Sequence, residues 1–371
     1  MVRFGVSFAA PAPSRAAVAA LVAALVIADG ARAAEAPPRP AEPARLAAKG
    51  LLIAVAPAGE RLVAVGDHGI IVLSDDRGAT WMQADQVPTQ ALLTGVCFSD
   101  AQHGVAVGHD EVILTSADAG RTWKLARYAP EAQRPLLDVW CGGGRLIAVG
   151  AYSAYLTSAD GGVSWNEVKF APATPPTGHV AARSAAARAG ATAAAGAGAS
   201  ADEGAAGGGY HLNRIVGAGA SRLYIAGEAG HLYRSDDGGG SWLTLASPYE
   251  GSFFGVLPLA DDTVLAFGLR GHLYRSTDAG STWQKVDTGT VALLNGATQF
   301  AGGAVAVVGF SGVVLVSRDG GRTVTLQQQA DRSGLSAAVA AGDETLAAVG
   351  ENGAKRITLT AVLSGAGSTA R

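Results

Sequence analysis

Six stretches of the chain set a serine hydroxyl, an aspartate carboxylate, a glycine and usually a second hydroxyl at one spacing: SDDRGATW at 74–81, SADAGRTW at 116–123, SADGGVSW at 158–165, SDDGGGSW at 235–242, STDAGSTW at 276–283 and SRDGGRTV at 317–324. A hydroxyl two residues from a carboxylate could serve acid–base chemistry or help hold a cation. Catalysis, however, needs groups that meet at one point, and six copies of one turn spread along a chain do not meet. The same residues suit a structural task. In Ser-x-Asp-x-Gly-x-Thr/Ser-Trp the serine and aspartate oxygens can accept backbone N–H bonds across a tight loop, and the glycine can take the positive φ that such a loop needs. The tryptophan then opens a strand and buries a large ring against the neighbouring sheet. On this reading Ser74, Asp76, Gly78 and Trp81 form one corner, as do Ser116, Asp118, Gly120 and Trp123; Ser158, Asp160, Gly162 and Trp165; Ser235, Asp237, Gly239 and Trp242; and Ser276, Asp278, Gly280 and Trp283. Ser317, Asp319 and Gly321 make the sixth, with valine in place of tryptophan.

The elements that would carry these corners follow from the period. The third residues of the octets are 42, 42, 77, 41 and 41 positions apart, so one interval is too long. The surplus is visible at 171–209, where Ala, Gly, Pro and Ser replace almost everything that could pack. Such a composition cannot bury enough apolar area to offset ordering, and it predicts a disordered insertion between repeats three and four. A second signature occurs seven times: LVAVGDHGIIVL from 62, VAVGHDEVILT from 105, IAVGAYSAYLT from 147, YIAGEAGHLYR from 224, VLAFGLRGHLYR from 264, VAVVGFSGVVLV from 305 and LAAVGENGAKRI from 346. Each reads as two short apolar strands joined by a tight turn. With a strand before and another after, each repeat is a four-stranded antiparallel unit of about 42 residues, a period that fits a β-propeller. The fold class predicted is therefore all-β, a seven-bladed β-propeller, with six blades and a frayed end as the alternative. The seventh repeat lacks an octet, so its outer strand is expected either from the N-terminal stretch 44–51 or from 360–363. The expected division is a signal peptide at 1–33, a linker and possible closing strand at 34–49, blades one to three at 50–170, the insertion at 171–209, blades four to seven at 210–363 and a tail at 364–371.

These octets resemble the Asp-box, or BNR, repeats of sialidase-type propellers, and the whole repeat, with its VGxxG turn and SxDGGxTW loop, is most similar to the Ycf48/HCF136 family of photosystem II assembly factors and its exported bacterial relatives. The resemblance spans residues 50 to about 359, minus the insertion. It implies a non-enzymatic propeller that holds a partner protein, in the photosynthetic members during photosystem II assembly.

Bulk chemistry narrows the partner. With 28 Lys and Arg against 31 Asp and Glu the net charge is −3, which supplies no basic field for nucleic acid. The start MVRFGVSFAAPAPSR, the apolar run at 16–28 and the small-x-small site before Ala34 predict export to the periplasm or medium, with no membrane insertion once the signal is cleaved. A monomer with an exported or membrane protein as partner is expected. Cys97 and Cys141 fall on the first strands of neighbouring repeats, where a disulfide would need Cα atoms about 4.4 to 6.8 Å apart; they read as two small buried hydrophobes. No phosphate-cradling motif, cofactor site or metal-ligand spacing is present, and the twin segments GHLYRS with His231 and His272 read as a packing or hydrogen-bonding position.

Because the octets would occupy one rim, a partner should dock on the other, which carries the turns between second and third strands and the links between blades. There Arg270, Arg134, Tyr128, Tyr152, Tyr249 and Phe310 are the candidate protein-binding residues, since arginine and aromatic side chains join contact area to directed polar groups. The competing function is a sialidase-like or other propeller glycoside hydrolase. It would draw on Asp67, Asp110, Glu111, Glu228 and Glu351 and would need two carboxylates about 5 to 9.5 Å apart, but the arginine motif that opens the sialidase pattern is missing.

Overall fold

The computed structural model describes residues 37–174, 209–219 and 221–359. The signal segment, nearly all of the Ala/Gly-rich insertion, the 360–363 stretch and the tail lie outside the described residues.

Valine, leucine, isoleucine and alanine in runs of four to six, each closed by a glycine, give short strands buried on both faces. Blade one shows the plan: β1 (Leu52–Ala58), β2 (Arg61–Gly66), β3 (Ile71–Ser74) and the two-residue β4 (Met82–Gln83) pair in order as an antiparallel meander. Five further sheets repeat it, and the seventh holds three strands, β25 (Leu335–Ala340), β26 (Thr345–Gly350) and β27 (Gly353–Thr358). The second and third strands of each blade hold most of its buried residues, because they lie between two neighbouring sheets. The core is thus a ring of interblade layers, for example Val105, Val107 and Ile113 of blade two against Leu136, Val139 and Leu156 of blade three. The ring closes: Leu52, Ala64 and Val72 of blade one pack with Ala337 and Val349 of blade seven.

The glycine that ends each second strand has a specific cause. A Cβ on Gly66, Gly108 or Gly350 would stand 2.0–2.1 Å from a carbonyl oxygen of the segment entering the same blade, at Leu51, Leu92 and Gly334. The turn after that glycine lies against the link that leads to the next blade. A Cβ on Gly69 would meet the Thr89 oxygen at 1.9 Å, and one on Gly271 the Thr290 oxygen at 2.1 Å.

This contact also bears on one of the two expected sources of the closing strand, the stretch 44–51. Gly353 of blade seven makes the same approach to the Ala48 oxygen, at 1.9 Å. Ala47–Lys49 is a 3-10 turn and not a strand. The N-terminal segment therefore takes the place of the link into blade one, and its run AAK has neither the β-branched residues nor the alternation that a strand requires. The second correction concerns the cysteines. Cys97 and Cys141 form a disulfide with Cα atoms 5.8 Å apart, joining the innermost strands of blades two and three.

Candidate functional site

In a meander the first and third turns share one rim, and the second turns share the other with the links. The octets lie on the first of these rims, and their polar groups are consumed internally. In all six, serine Oγ donates to aspartate Oδ1 at 2.7–2.9 Å and accepts the glycine N–H at 2.8–3.0 Å. The following Thr or Ser gives its N–H to Oδ1 and its hydroxyl to Oδ2, the latter at 2.6–2.7 Å. These bonds stabilise the ionised carboxylates, so Asp76, Asp160 and Asp237 titrate at about 2, well below the usual range.

Each octet is also a latch on the preceding blade. A Cβ on Gly239 would strike Ile147 Cδ1 at 2.5 Å and the Tyr155 hydroxyl at 2.7 Å, and one on Gly78 would meet Ala347 Cβ of blade seven at 2.8 Å. Arg61, Arg145, Arg234 and Arg275 donate to octet carbonyls of the next blade, at Ala119, Gly238, Ala279 and Gly320. The tryptophans complete the corners. The indoles of Trp81, Trp123 and Trp165 donate to the glycine carbonyl three residues back, and Trp242 donates to Tyr155. Trp283 is partly buried against the blade-four core.

The opposite rim carries the tight turns. In six of them the middle residue is in the left-handed region without being glycine: His68, Asp110, Tyr152, Ala229, Arg270 and Ser311. Three of the six candidate residues project there. Tyr152 is 49 % exposed with its ring edge-on to His211, Phe310 is 43 % exposed, and Arg270 is exposed with no hydrogen-bonded or ion-paired partner among the described residues. The others turn inward. Arg134 gives Glu167 two hydrogen bonds, at 2.7 and 3.1 Å, and Glu111 a third at 2.9 Å; these carboxylates, Glu167 first, raise its pKa. Tyr128 is half-buried against the layer between blades one and two. The Tyr249 ring lies against His272, Phe253 and Tyr274. The twin histidines are ring-packing positions: Tyr210 stacks on His231 at 3.9 Å, and Tyr249 meets His272 at 4.2 Å.

Two charged groupings escape motif reading. Glu111 is fully buried and receives both Arg127 and Arg134, bonding a blade-two turn to the link beyond it. In the central channel Asp138, 5 % exposed, faces Arg214 at 3.6 Å and accepts the Ile215 N–H at 2.9 Å. Burial raises the Asp138 pKa, against the pull of Arg214. The detectable signal in both cases is departure from the repeat. Glu111 stands where five other turns have glycine, and Asp138 and Arg214 stand where the other innermost strands have Ala or Gly.

Four of the five carboxylates that a hydrolase would need are engaged within the chain. Asp67 accepts the His68 N–H, Glu111 is doubly paired, Glu228 accepts the His211 N–H, and Glu351 accepts the Gly334 N–H, each on a different blade. Asp110 tips the blade-two turn. Among the described residues no group of three or more His, Cys, Asp or Glu could hold a metal ion.

A sequence model of the family described as photosynthesis system II assembly factor YCF48 matches residues 75–207. No curated protein matches the chain in sequence. Among solved structures, YCF48 bound to D1 peptide superposes with a TM-score of 0.62 at 15 % identity, covering 88 % of this chain and 100 % of that one. YCF48 from Cyanidioschyzon merolae gives 0.61 at 15 % identity, over 84 % and 96 %. The GH74 xyloglucanase from Xanthomonas campestris gives 0.62 at 18 % identity, over 85 % of this chain and 53 % of that one. The octets and the seven sheets make this chain a seven-bladed β-propeller with BNR-type corners, and over 75–207 its repeats are similar to those of the YCF48 family.

Proposed function

We propose that the protein is a non-enzymatic, exported scaffold that binds a segment of a membrane or exported protein on the turn-and-link rim of blades three to six and aids the assembly of that partner's complex. One observation carries this reading: the exposed aromatic side chains among the described residues, Tyr152, Tyr210 and Phe310, all stand on this rim. Exposed aromatics cost solvation, and on a soluble surface they concentrate where another molecule covers them. A YCF48 with similar repeats is known with a D1 peptide bound, which makes a peptide segment the natural form of partner. Export is supported by the basic and apolar N-terminal sequence and by the Cys97–Cys141 disulfide, a bond that persists in oxidising compartments. Hydrolysis is the lesser reading, because four of the five candidate rim carboxylates are engaged within the chain and three-residue turns build no deep cleft.

The test is capture from solubilised membranes with the full mature chain as bait, beside a Y152A/F310A variant. Capture of one membrane protein that the variant loses supports the assignment. Equal capture by both forms, or turnover of a xyloglucan or sialoside panel by the wild type, overturns it.

A further inference from the structure

Each innermost strand brings one residue to a common level of the central channel, paired with the residue that precedes the glycine ending the second strand. In five blades it is small: Ala54, Gly95, Gly255, Gly296 or Ala337. Blades three and four put Asp138 and Arg214 there, side by side. Next to this pair lies a hollow of about 320 Å³, and apart from Asp138, Arg214 and Thr298 every side chain in its lining is apolar.

The charges are surplus to the ring. Their structural share is one bond, from the Ile215 N–H to Asp138 Oδ2 at 2.9 Å, across the gap between blades three and four. Neutral side chains make the same kind of stitch at other gaps: Thr94 gives its hydroxyl to the Leu136 carbonyl at 2.7 Å, Asn213 its amide to that of Phe253 at 2.8 Å, and Asn295 its amide to that of Leu335 at 3.3 Å. An asparagine at 138 would accept the Ile215 N–H as well. The chain instead buries a carboxylate to 5 % exposure and sets a guanidinium against it, at a desolvation cost that a neutral pair would not carry. Nor do the two groups satisfy each other. Arg214 Nη1 stands 3.6 Å from Asp138 Oδ1, beyond hydrogen-bond length, and no group among the described residues takes a hydrogen bond from this guanidinium.

We propose that this hollow binds a free α-amino acid with an apolar side chain. The ligand's carboxylate takes the unbonded N–H groups of Arg214, its ammonium donates to Asp138 Oδ1, and its side chain lies against Val139, Val256 and Phe267. Both charges of such a ligand sit on one carbon, which suits a carboxylate and a guanidinium 3.6 Å apart, whereas the termini of a peptide are spread by its amides. The volume lies at the small end of the range for ligand pockets, about 300 to 1,000 Å³, as a ligand of this size requires. Among apolar walls each charge-assisted bond counts for more than in water, and a ligand lacking one charge leaves a protein charge unmatched. The site uses no residue of the turn-and-link rim, so the partner-binding reading stands or falls separately.

The experiment is calorimetric titration of the full mature chain with L-valine, L-leucine and L-phenylalanine, beside two truncated leucines: isocaproate, which lacks the ammonium, and isoamylamine, which lacks the carboxylate. At least one of the amino acids is expected to bind, leucine about tenfold or more tightly than either truncated form, and the bound ligand should shift the methyl resonances of Val139 and Val256 in NMR spectra. D138N/R214M keeps an acceptor for the Ile215 N–H and an apolar stem at 214. It is expected to unfold no earlier than the wild type, since a buried ion pair is replaced by neutral groups, while binding the amino acid about tenfold or more weakly. Binding that survives in D138N/R214M, equal affinity for leucine and isocaproate or isoamylamine, or no binding of any of the three amino acids at millimolar concentration overturns the site.

Discussion

If the octets are latches between blades, two adjacent glycines of one octet should respond differently to the same methyl group. Gly238 and Gly239 of blade four both have positive φ, 70° and 86°. A Cβ on Gly238 would have nothing within 4 Å, whereas one on Gly239 would sit 2.5 Å from Ile147 Cδ1 and 2.7 Å from the Tyr155 hydroxyl. G238A should therefore carry only the left-handed backbone cost of about 1–2 kcal/mol, partly offset by about 0.4–1 kcal/mol from a stiffer unfolded chain. G239A carries the same terms and adds overpacking, about 1–3 kcal/mol. It also threatens the Tyr155 hydroxyl, which donates to the Gly239 carbonyl at 2.8 Å and accepts from Trp242 at 3.1 Å, worth about 1 kcal/mol more. G239A should thus fall below G238A by about 2–4 kcal/mol. Urea unfolding at neutral pH, followed by tryptophan fluorescence, measures the gap from the two midpoints. Losses equal to within about 0.5 kcal/mol would mean that the octet does not press on the preceding blade, and the latch argument would fail.

Other consequences are equally direct. The octet aspartates have pKa values lowered from 3.8, to about 2 at Asp160 and Asp237, so the stability they contribute is complete above the unfolded pKa and drains away as pH falls from about 4 toward 2; urea midpoints across that window should fall steeply for the wild type and more gently for D160N/D237N. Asp138 has the opposite sign, because its raised pKa makes its contribution shrink as pH rises, and D138A should cost about 1–3 kcal/mol by leaving the Ile215 N–H unpaired. The Cys97–Cys141 bridge closes a loop of 44 residues, so C97S/C141S should lose about 2–4 kcal/mol, and reductant should weaken the wild type but not the variant. Breaking the Glu111 cluster should depend on burial: E111A leaves Arg127 without its carboxylate and Arg134 with Glu167 alone around a closed site, whereas E167A removes a carboxylate that is half exposed, and thermal unfolding should rank E111A clearly the less stable.

Most of the fold is legible in the sequence because it repeats. A period near 42, a glycine after each second strand and an octet at each corner report the same unit again and again, and repetition averages out the ambiguity of any short apolar run. What does not repeat is hard to read. Glu111, Asp138 and Arg214 belong to no motif, and only their departure from the positions of Gly69, Gly95 and Gly255 marks them. The disulfide is hidden for a different reason: two cysteines on neighbouring first strands have a partner only if the blades set their Cα atoms at bonding distance, and that follows from how the blades pack. The N-terminal link is legible in neither way, since an AAK turn acquires its role from the approach of the Ala48 carbonyl to Gly353. Residue type likewise could not separate Arg270 from Arg134. Both are arginines on one rim, but Arg134 is already paired within the chain, to Glu111 and Glu167.

The distribution of backbone strain argues for the same division of labour between the rims. At the fifth octet position φ is positive in all six corners and the residue is always glycine, because a Cβ there would meet the preceding blade or the corner's own tryptophan. Packing dictates that choice. At the middle of the opposite turns φ is equally positive in six blades, yet glycine is never used there, although it would relieve about 1–2 kcal/mol at each. Asp and His tolerate such a conformation through local bonds, as Asp67 does for the His68 N–H, but Tyr152 and Arg270 have no such excuse. Ala229 and Ser311 show that a small side chain suffices at this φ, so the large exposed side chains of Tyr152 and Arg270 at the tips fit the proposal that this rim meets a partner.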